Sequence, residues 1–505
     1  MKNMNDRGGK LYTAPGDIDQ GGMAPGQDPV RTNNKKSRKR HARNREYAIV
    51  TWIIFLMFAS LMAYVVYFNT HVAASFINSP YNTRQDTFSD RVVRGRLLSS
   101  EGEVLARTDV SDDGSEQRVY PYSNAFAHVI GYASNGKSGL ESEANFQLLT
   151  SHQFFLDQLK NELTGSKNRG DDVVTSLSAV LQMTAYNALG NRRGAVIAME
   201  PDTGRILCMV SKPDFDPNTI EYNWNYIIAD ENDSSLLNRA TNGAYPPGST
   251  FKLVTALDYY RQNRTLEGYT YLCEGTITRQ DHSIHCYANT VHGSENFYQA
   301  FASSCNCAFA DIGITLGGAS LRKTAEDLLF NKSLPFESYK TSTFDLQASS
   351  PVPLVMQTAI GQGNTLVSPA HMALITCAVA NGGTIMKPTL IDSVKNVDGE
   401  VVSTTKPAVA ARLFSEQEAE VLKTLMKGVV DYGTASALSG RTYTAAGKTG
   451  SAEFDENGSS HSWFIGYSNL DDPDLVVSII VENGGTGSES AVPIAAELFD
   501  AYYSR

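Results

Sequence analysis

Cysteine is scarce in this sequence. Six residues in 505, Cys208, Cys273, Cys286, Cys305, Cys307 and Cys377, are too few for a disulfide scaffold, and no C-x-x-C pair occurs. Cys273 and Cys286 flank a short polar segment. They either bridge in an oxidising compartment or stay as thiols. His282, His285 and His292 lie close in sequence, but their spacing fits no standard zinc site, so neither a metal nor another cofactor is expected. No internal repeat is present. The main body also lacks excess positive charge. Residues 1–46 carry a balance of +6, so with a whole-chain charge of -11 the remainder carries -17. An acidic body argues against nucleic acid as its partner. The chain is too long for one ordinary domain, and its 42% apolar and 19% charged residues form a normal globular balance.

The basic head is explained by the apolar run beside it. Residues 1–34 are rich in Gly, Pro, Asn and Asp without apolar periodicity and read as disordered. A dense Lys/Arg cluster fills 35–45, and residues 47–68 then run without a charge, long enough to cross a bilayer as a helix. Basic residues on the N-terminal side place the tail, 1–46, in the cytoplasm and the body outside. A cleaved signal peptide competes with this reading because Val72-Ala73-Ala74 resembles a cleavage site. An apolar run this long favours an uncleaved anchor at the cell membrane. Residues 69–170 read as a separate module with short strand-like runs, a Gly-rich stretch and an amphipathic segment from Gly139 to Leu149. From 171 to 505 the pattern is mixed α/β. A helix over 178–189 precedes a strand pair, 194–199 and 205–210, joined by the tight turn Asp202-Thr203-Gly204. Residues 475–482 form a later strand, and 492–502 a closing helix.

The chemistry centres on Ser249. Pro246-Pro247-Gly248 ends a loop, and Ser249 opens an apolar helix through Leu253, Val254, Ala256 and Leu257. Lys252 lies three residues on and therefore over the same face. A serine hydroxyl needs a base to act as a nucleophile, and a lysine kept neutral by burial or a neighbouring cation can supply one. S-x-x-K alone is weak, because it recurs at Ser134, Ser320 and Ser403. Ser304-Cys305-Asn306 occurs downstream, between two helical stretches. Its hydroxyl can relay protons, and its amide can hydrogen-bond both Lys252 and a substrate amide. S-x-N also occurs at Ser166 and Ser294, and a turn serine capping the next helix is the plainer reading. Lys448-Thr449-Gly450 lies in a strand-like run, 443–454, with a turn at 455–460 and a returning strand at 463–467. Such an edge lets an extended peptide lie on its backbone, with the lysine meeting a carboxylate and the glycine removing a steric block.

S-x-x-K, S-x-N and K-T-G in that order resemble the penicillin-recognising serine acyltransferases. With the single anchor, Arg94-Gly95, Gly139-Leu140-Glu141, residues 194–218 and Gly361-Gln362-Gly363, the chain resembles class B penicillin-binding proteins over residues 47–505. No glycosyltransferase domain precedes the module at 69–170, which separates the chain from the bifunctional class A proteins. The resemblance implies an antiparallel sheet flanked by helices plus an all-helical subdomain, preceded by a β-rich pedestal. It implies a peptidoglycan D,D-transpeptidase in which Ser249 attacks the penultimate D-alanine of a stem peptide. Lys252 then takes the proton, Ser304 and Asn306 sustain the relay, and Lys448, Thr449 and Ser451 hold the terminal carboxylate beside Gly450. Backbone N–H groups of Ser249 and Ser451 would form the oxyanion hole. β-Lactams would acylate Ser249, and a SEDS-type membrane glycosyltransferase would be the partner. Cys305 inside S-x-N is expected to be structural. A β-lactamase or β-lactam sensor using the same serine is the competing enzyme reading, and a catalytically idle scaffold for a cell-wall polymerase is the non-enzymatic one.

Overall fold

The computed structural model describes residues 35–68, 91–230, 233–336, 339–453 and 460–504, with backbone alone for 35–44 and 453. The tail 1–34, the Val72–Ala74 segment and residues 455–459 of the expected turn lie outside the described residues. The chain divides into two units, Met1–Ala74 and Ser75–Arg505.

Among the described residues the first unit contains one helix, Lys35–Tyr67. Its stretch Arg45–Tyr67 reaches a mean hydropathy of 2.4 with none of it buried. A helix apolar on every side suits a bilayer, and 23 residues rise about 34 Å, enough for a hydrocarbon core of about 30 Å.

Among the described residues the second unit has two large sheets and four two-stranded ones. The larger core surrounds a five-stranded antiparallel sheet in the order Ala445–Glu453, Ser460–Ser468, Leu475–Val481, Gly194–Met199, Ile206–Lys212. Its inner strands are continuous apolar runs, not alternating ones, because both faces are covered. Ala179–Leu189 and the closing helix Ala491–Tyr503 pack on one face. Pro369–Ala380, buried along its whole length, packs on the other. Ser178 caps the first of these helices, its hydroxyl accepting from the Leu181 amide at 3.3 Å. Gly204, at φ +79°, makes the turn into Ile206–Lys212.

The second sheet has six strands in the order Val401–Thr404, Ile391–Lys395, Asp172–Thr175, Leu97–Leu98, Val104–Val110, Glu116–Val119. Leu97–Leu98 runs parallel to Asp172–Thr175, and the other pairings are antiparallel. The sheet takes strands from both sides of residue 171, so the β-rich module and the domain after it share main-chain hydrogen bonds. Inside the β-rich module Glu141 is fully buried between two arginines. It accepts from Arg94 Nε at 2.5 Å and from Arg118 Nε at 2.7 Å, while Arg118 Nη1 donates to the Gly95 carbonyl at 2.6 Å. Burial alone would push the Glu141 carboxyl up. The two guanidiniums outweigh it and hold it below the usual carboxylate range. A carboxyl depressed in the folded state adds stability at neutral pH, which is lost as pH falls through its folded value. Glu141→Ala would leave two buried guanidiniums without their counter-ion. Its expected cost is about 3–5 kcal/mol, read as a lower thermal midpoint.

A mainly helical region carries the rest: Lys252–Asn263, Phe297–Ala302, Asn306–Leu316, Gly318–Asp327, Val352–Ala359 and Glu416–Asp431. It is not purely helical as expected. Thr276–Arg279 and His282–His285 form a hairpin, and Thr270–Cys273 pairs with Gly293–Asn296. Gln280 and Asp281 turn the hairpin with φ of +49° and +59°, matching a type I′ turn.

Candidate active site

Two glycines shape the nucleophile turn. Gly248 has φ +53°, and its N–H donates to the Gly361 carbonyl at 2.9 Å. A Cβ on Gly361 would meet the Gly248 carbonyl oxygen at 1.9 Å, so only glycine permits this approach. Gly248–Phe251 is one 3₁₀ turn, which passes directly into the α-helix Lys252–Asn263. Ser249 is half-buried and faces a cleft of about 1140 Å³. Pro246, Ser304, Asn306, Thr449, Gly450 and Ser451 line the same cleft.

Lys252 is fully buried and reaches toward the S-x-N turn. Its Nζ donates to the Ser304 carbonyl at 2.6 Å, to Asn306 Oδ1 at 2.7 Å and to Ser304 Oγ at 3.2 Å. Among the described residues no hydrogen bond joins it to the Ser249 hydroxyl. Ser304 sits at φ +60°, a left-handed conformation that aims both its carbonyl and its hydroxyl inward. Asn306 opens the helix Asn306–Leu316, and its Nδ2 donates to the His285 carbonyl at 2.9 Å, which turns Oδ1 toward the lysine.

Lys448 arrives from the edge strand Ala445–Glu453 and is also fully buried. Its Nζ donates to Ser304 Oγ at 2.9 Å and to the Thr449 carbonyl at 3.0 Å. One serine oxygen therefore lies between two lysine nitrogens. Burial pushes Lys252 down to about 8. Burial pushes Lys448 well below the usual lysine range too, and the charge of Lys252 adds to that shift. Two adjacent buried ammoniums disfavour each other, so the arrangement favours one neutral amine near neutral pH. The turn can thus pass a proton between two amines through a hydroxyl.

The strand edge completes the cleft. Thr449 Oγ1 shares a 2.5 Å hydrogen bond with Thr434 Oγ1. Gly450 pairs with Trp463 across the strands. A Cβ at 450 would meet Thr250 Cγ2 at 3.0 Å, the Pro247 carbonyl at 3.1 Å and Trp463 Cβ at 3.1 Å. The bare Cα therefore lets the edge strand press against the nucleophile turn, a constraint that exists before any peptide binds. Trp463 adds an Nε1–H donated to the Pro246 carbonyl at 3.0 Å.

Six of the eight residues expected at the site line one cleft, and the other two, Lys252 and Lys448, are buried behind it on Ser304 Oγ. Sequence reasoning missed Thr434, and it missed the carbonyls of His285 and Gly361 because main-chain groups carry no side-chain signature. It also missed the packing of Cys273, Cys286, Cys305 and Cys307 beneath the S-x-N turn. All four are buried free thiols.

Known proteins match this arrangement. The family described as the penicillin binding protein transpeptidase domain matches residues 194–500, and the penicillin binding protein A dimerisation domain matches 94–173. The peptidoglycan D,D-transpeptidase PbpA of Mycolicibacterium smegmatis is 31% identical over 481 residues, covering 86% of this chain and 95% of its own. A solved D,D-transpeptidase domain of a peptidoglycan glycosyltransferase from Eggerthella lenta superposes with a TM-score of 0.74 at 30% identity, over 82% of this chain and 99% of that one. Penicillin-binding protein A of M. tuberculosis, solved as a ceftriaxone acyl-enzyme, gives a TM-score of 0.74 at 29% identity, over 83% of this chain and 99% of that one. Two family matches in tandem, a relative aligned along nearly its whole length and the shared fold place this chain in the penicillin-binding protein transpeptidase family, as a class B member.

Proposed function

We propose that this protein is a penicillin-binding peptidoglycan D,D-transpeptidase that cross-links stem peptides through an acyl-enzyme on Ser249. The observation that carries the reading is the convergence of Lys252 and Lys448 on Ser304 Oγ, beside Ser249 in one cleft. The stem peptide lies along the edge strand with its terminal carboxylate near Lys448, Thr449 and Ser451. Ser249 Oγ attacks the penultimate D-alanine carbonyl while neutral Lys252 takes its proton. Backbone N–H groups of Ser249 and Ser451 receive the developing oxyanion. The proton passes from Lys252 through Ser304 Oγ to the departing D-alanine amine. Asn306, fixed by the His285 carbonyl, keeps Lys252 in place and offers its amide to the substrate. An amine from a second stem peptide then attacks the ester and frees Ser249. A β-lactam enters as the donor does and stays on the serine.

The apolar stretch within residues 47–68 anchors the chain in the cytoplasmic membrane, with the basic tail inside and residues 69–170 as a pedestal for the catalytic domain, 171–505. A membrane glycosyltransferase of the SEDS type, which supplies uncross-linked glycan, fits the anchor and pedestal as partner.

The test is acyl-enzyme lifetime together with donor turnover. Purified protein should hold a fluorescent penicillin long after free drug is removed, and should release D-alanine from a stem-peptide donor when an acceptor amine is present. Rapid loss of the label with hydrolysed drug accumulating would make it a hydrolase instead. A pH series adds a second expectation. Because Lys252 acts when neutral, and burial brings it to about 8, acylation should rise with pH through that value and then level off. A rate falling over the same range would remove Lys252 as the base.

A further inference from the structure

Directly beneath the S-x-N turn, four side chains from three separate chain segments meet. The sulfurs of Cys273, Cys286 and Cys305 and an imidazole nitrogen of His292 all lie within 4.8 Å of one another. The Cys273–Cys286 sulfurs are 3.6 Å apart, the Cys286–Cys305 sulfurs 3.7 Å, and Cys273 Sγ lies 3.4 Å from His292 Nδ1. A tetrahedral zinc with bonds of about 2.3 Å to sulfur and about 2.0 Å to nitrogen has S···S edges near 3.8 Å and S···N edges near 3.5 Å. These three edges match within about 0.2 Å.

Two main-chain amides already reach the sulfurs. The Gly275 amide donates to Cys273 Sγ at 3.4 Å, and the Ala308 amide donates to Cys305 Sγ at 3.4 Å. The second of these comes from the first turn of Asn306–Leu316, which Cys305 caps. Main-chain N–H donors of this kind are the outer contacts that orient metal-bound sulfurs. Cys307 behaves differently, since its thiol donates to the Ile284 carbonyl at 3.8 Å and accepts from Cys286 Sγ at 3.5 Å. A single disulfide would use two of these sulfurs and leave the third sulfur and the imidazole gathered without a purpose. The three cysteines are buried, while His292 is half-exposed and lines the catalytic cleft with Cys286, which gives an ion a path in. The spacing of these residues along the sequence fits no standard motif, because the Thr270–Cys273 and Gly293–Asn296 ladder and the hairpin between them bring the ligands together.

We propose that Cys273, Cys286, His292 and Cys305 bind one zinc-class divalent ion, which fixes the Ser304–Asn306 turn against the two lysines. Four protein ligands complete the tetrahedron, so the ion is structural and activates no water. Binding converts the three thiols to thiolates and releases their protons to solvent. The link to catalysis is direct, because Cys305 sits between Ser304 and Asn306. Anchoring its sulfur fixes the left-handed turn that presents both residues to Lys252. The metal-binding half stands apart from the proposed function, whereas the positioning half rests on it.

The experiment uses the full chain, purified in detergent without chelator, with zinc measured by mass spectrometry and cobalt(II) exchanged in for its absorption spectrum. One ion per chain and a tetrahedral thiolate–cobalt spectrum are expected. Cys273→Ser and Cys286→Ser should each lose most of the metal, and Cys307→Ser should keep it. Metal-free protein whose intact mass shows a Cys273–Cys286 disulfide would overturn the site, as would undiminished metal in both serine variants. For positioning, chelated protein should be acylated by penicillin at least tenfold more slowly and recover when zinc is restored. An unchanged rate after complete removal would overturn the positioning role while leaving the binding site. Zinc-loaded protein that is never acylated would overturn the transpeptidase reading alone.

Discussion

Ser249→Ala should abolish penicillin labelling completely while the protein folds as before. Half-exposed at the cleft, the Ser249 hydroxyl carries no described hydrogen bond that its loss would break. The substitution removes one oxygen from a turn held by main-chain contacts, so stability should change by no more than about 0.5 kcal/mol. Its chemical effect is total, because no acyl-enzyme can form without the nucleophile. The other three S-x-x-K serines cannot substitute. Ser403 lies in the exposed strand Val401–Thr404, where positions three apart point to opposite faces. Ser320 hydrogen-bonds Asp258 Oδ1 at 2.7 Å, and its Lys323 is exposed and paired with Asp327. Ser134 and Lys137 belong to a surface turn. Of the four, Ser249 alone is paired with a buried lysine. Gel fluorescence of membranes expressing each form reads the result directly, with a thermal melt confirming the fold. Any band surviving in Ser249→Ala at the size of this chain would place the nucleophile elsewhere.

Legibility in the sequence depended on the range of the interactions involved. Ser249 and Lys252 share one helical turn, so a local rule placed them. The strand carrying Lys448 was readable because its hairpin partner comes next in the chain. Ser304 and Lys448 lie 144 residues apart, and no periodicity predicts that they share a hydrogen bond. Their convergence could be expected only from the order of the motifs and the family they resemble. The reason given for Gly450 was incomplete for a related cause. A substrate-facing edge was visible in the strand pattern, whereas its contact with Thr250 and Pro247 arises from a distant turn. The cysteines show the limit most sharply. Counted along the chain they fit nothing, yet a hairpin and a two-strand ladder bring three of them to one imidazole.

Lys252→Met should slow acylation by about 10²–10⁴-fold, the usual contribution of a positioned general base. Methionine has similar length and suits a fully buried position, and it removes the cost of keeping a cation away from water. Against that gain, the Ser304 carbonyl and Asn306 Oδ1 lose their shared donor. The opposing effects keep the fold, so lost rate reports chemistry. Lys252→Arg separates the two tasks of the lysine. A guanidinium keeps a positive charge and donors for Ser304 and Asn306, but it never becomes neutral in the working pH range. If Lys252 is the base, Lys252→Arg should be as slow as Lys252→Met, and its remaining rate should lose the rise through pH of about 8 that burial of the lysine confers on the parent. If the lysine only holds the turn in place, Lys252→Arg should recover most of the rate that Lys252→Met loses. Second-order acylation constants for the three forms, measured across that pH range, decide between a proton acceptor and a brace.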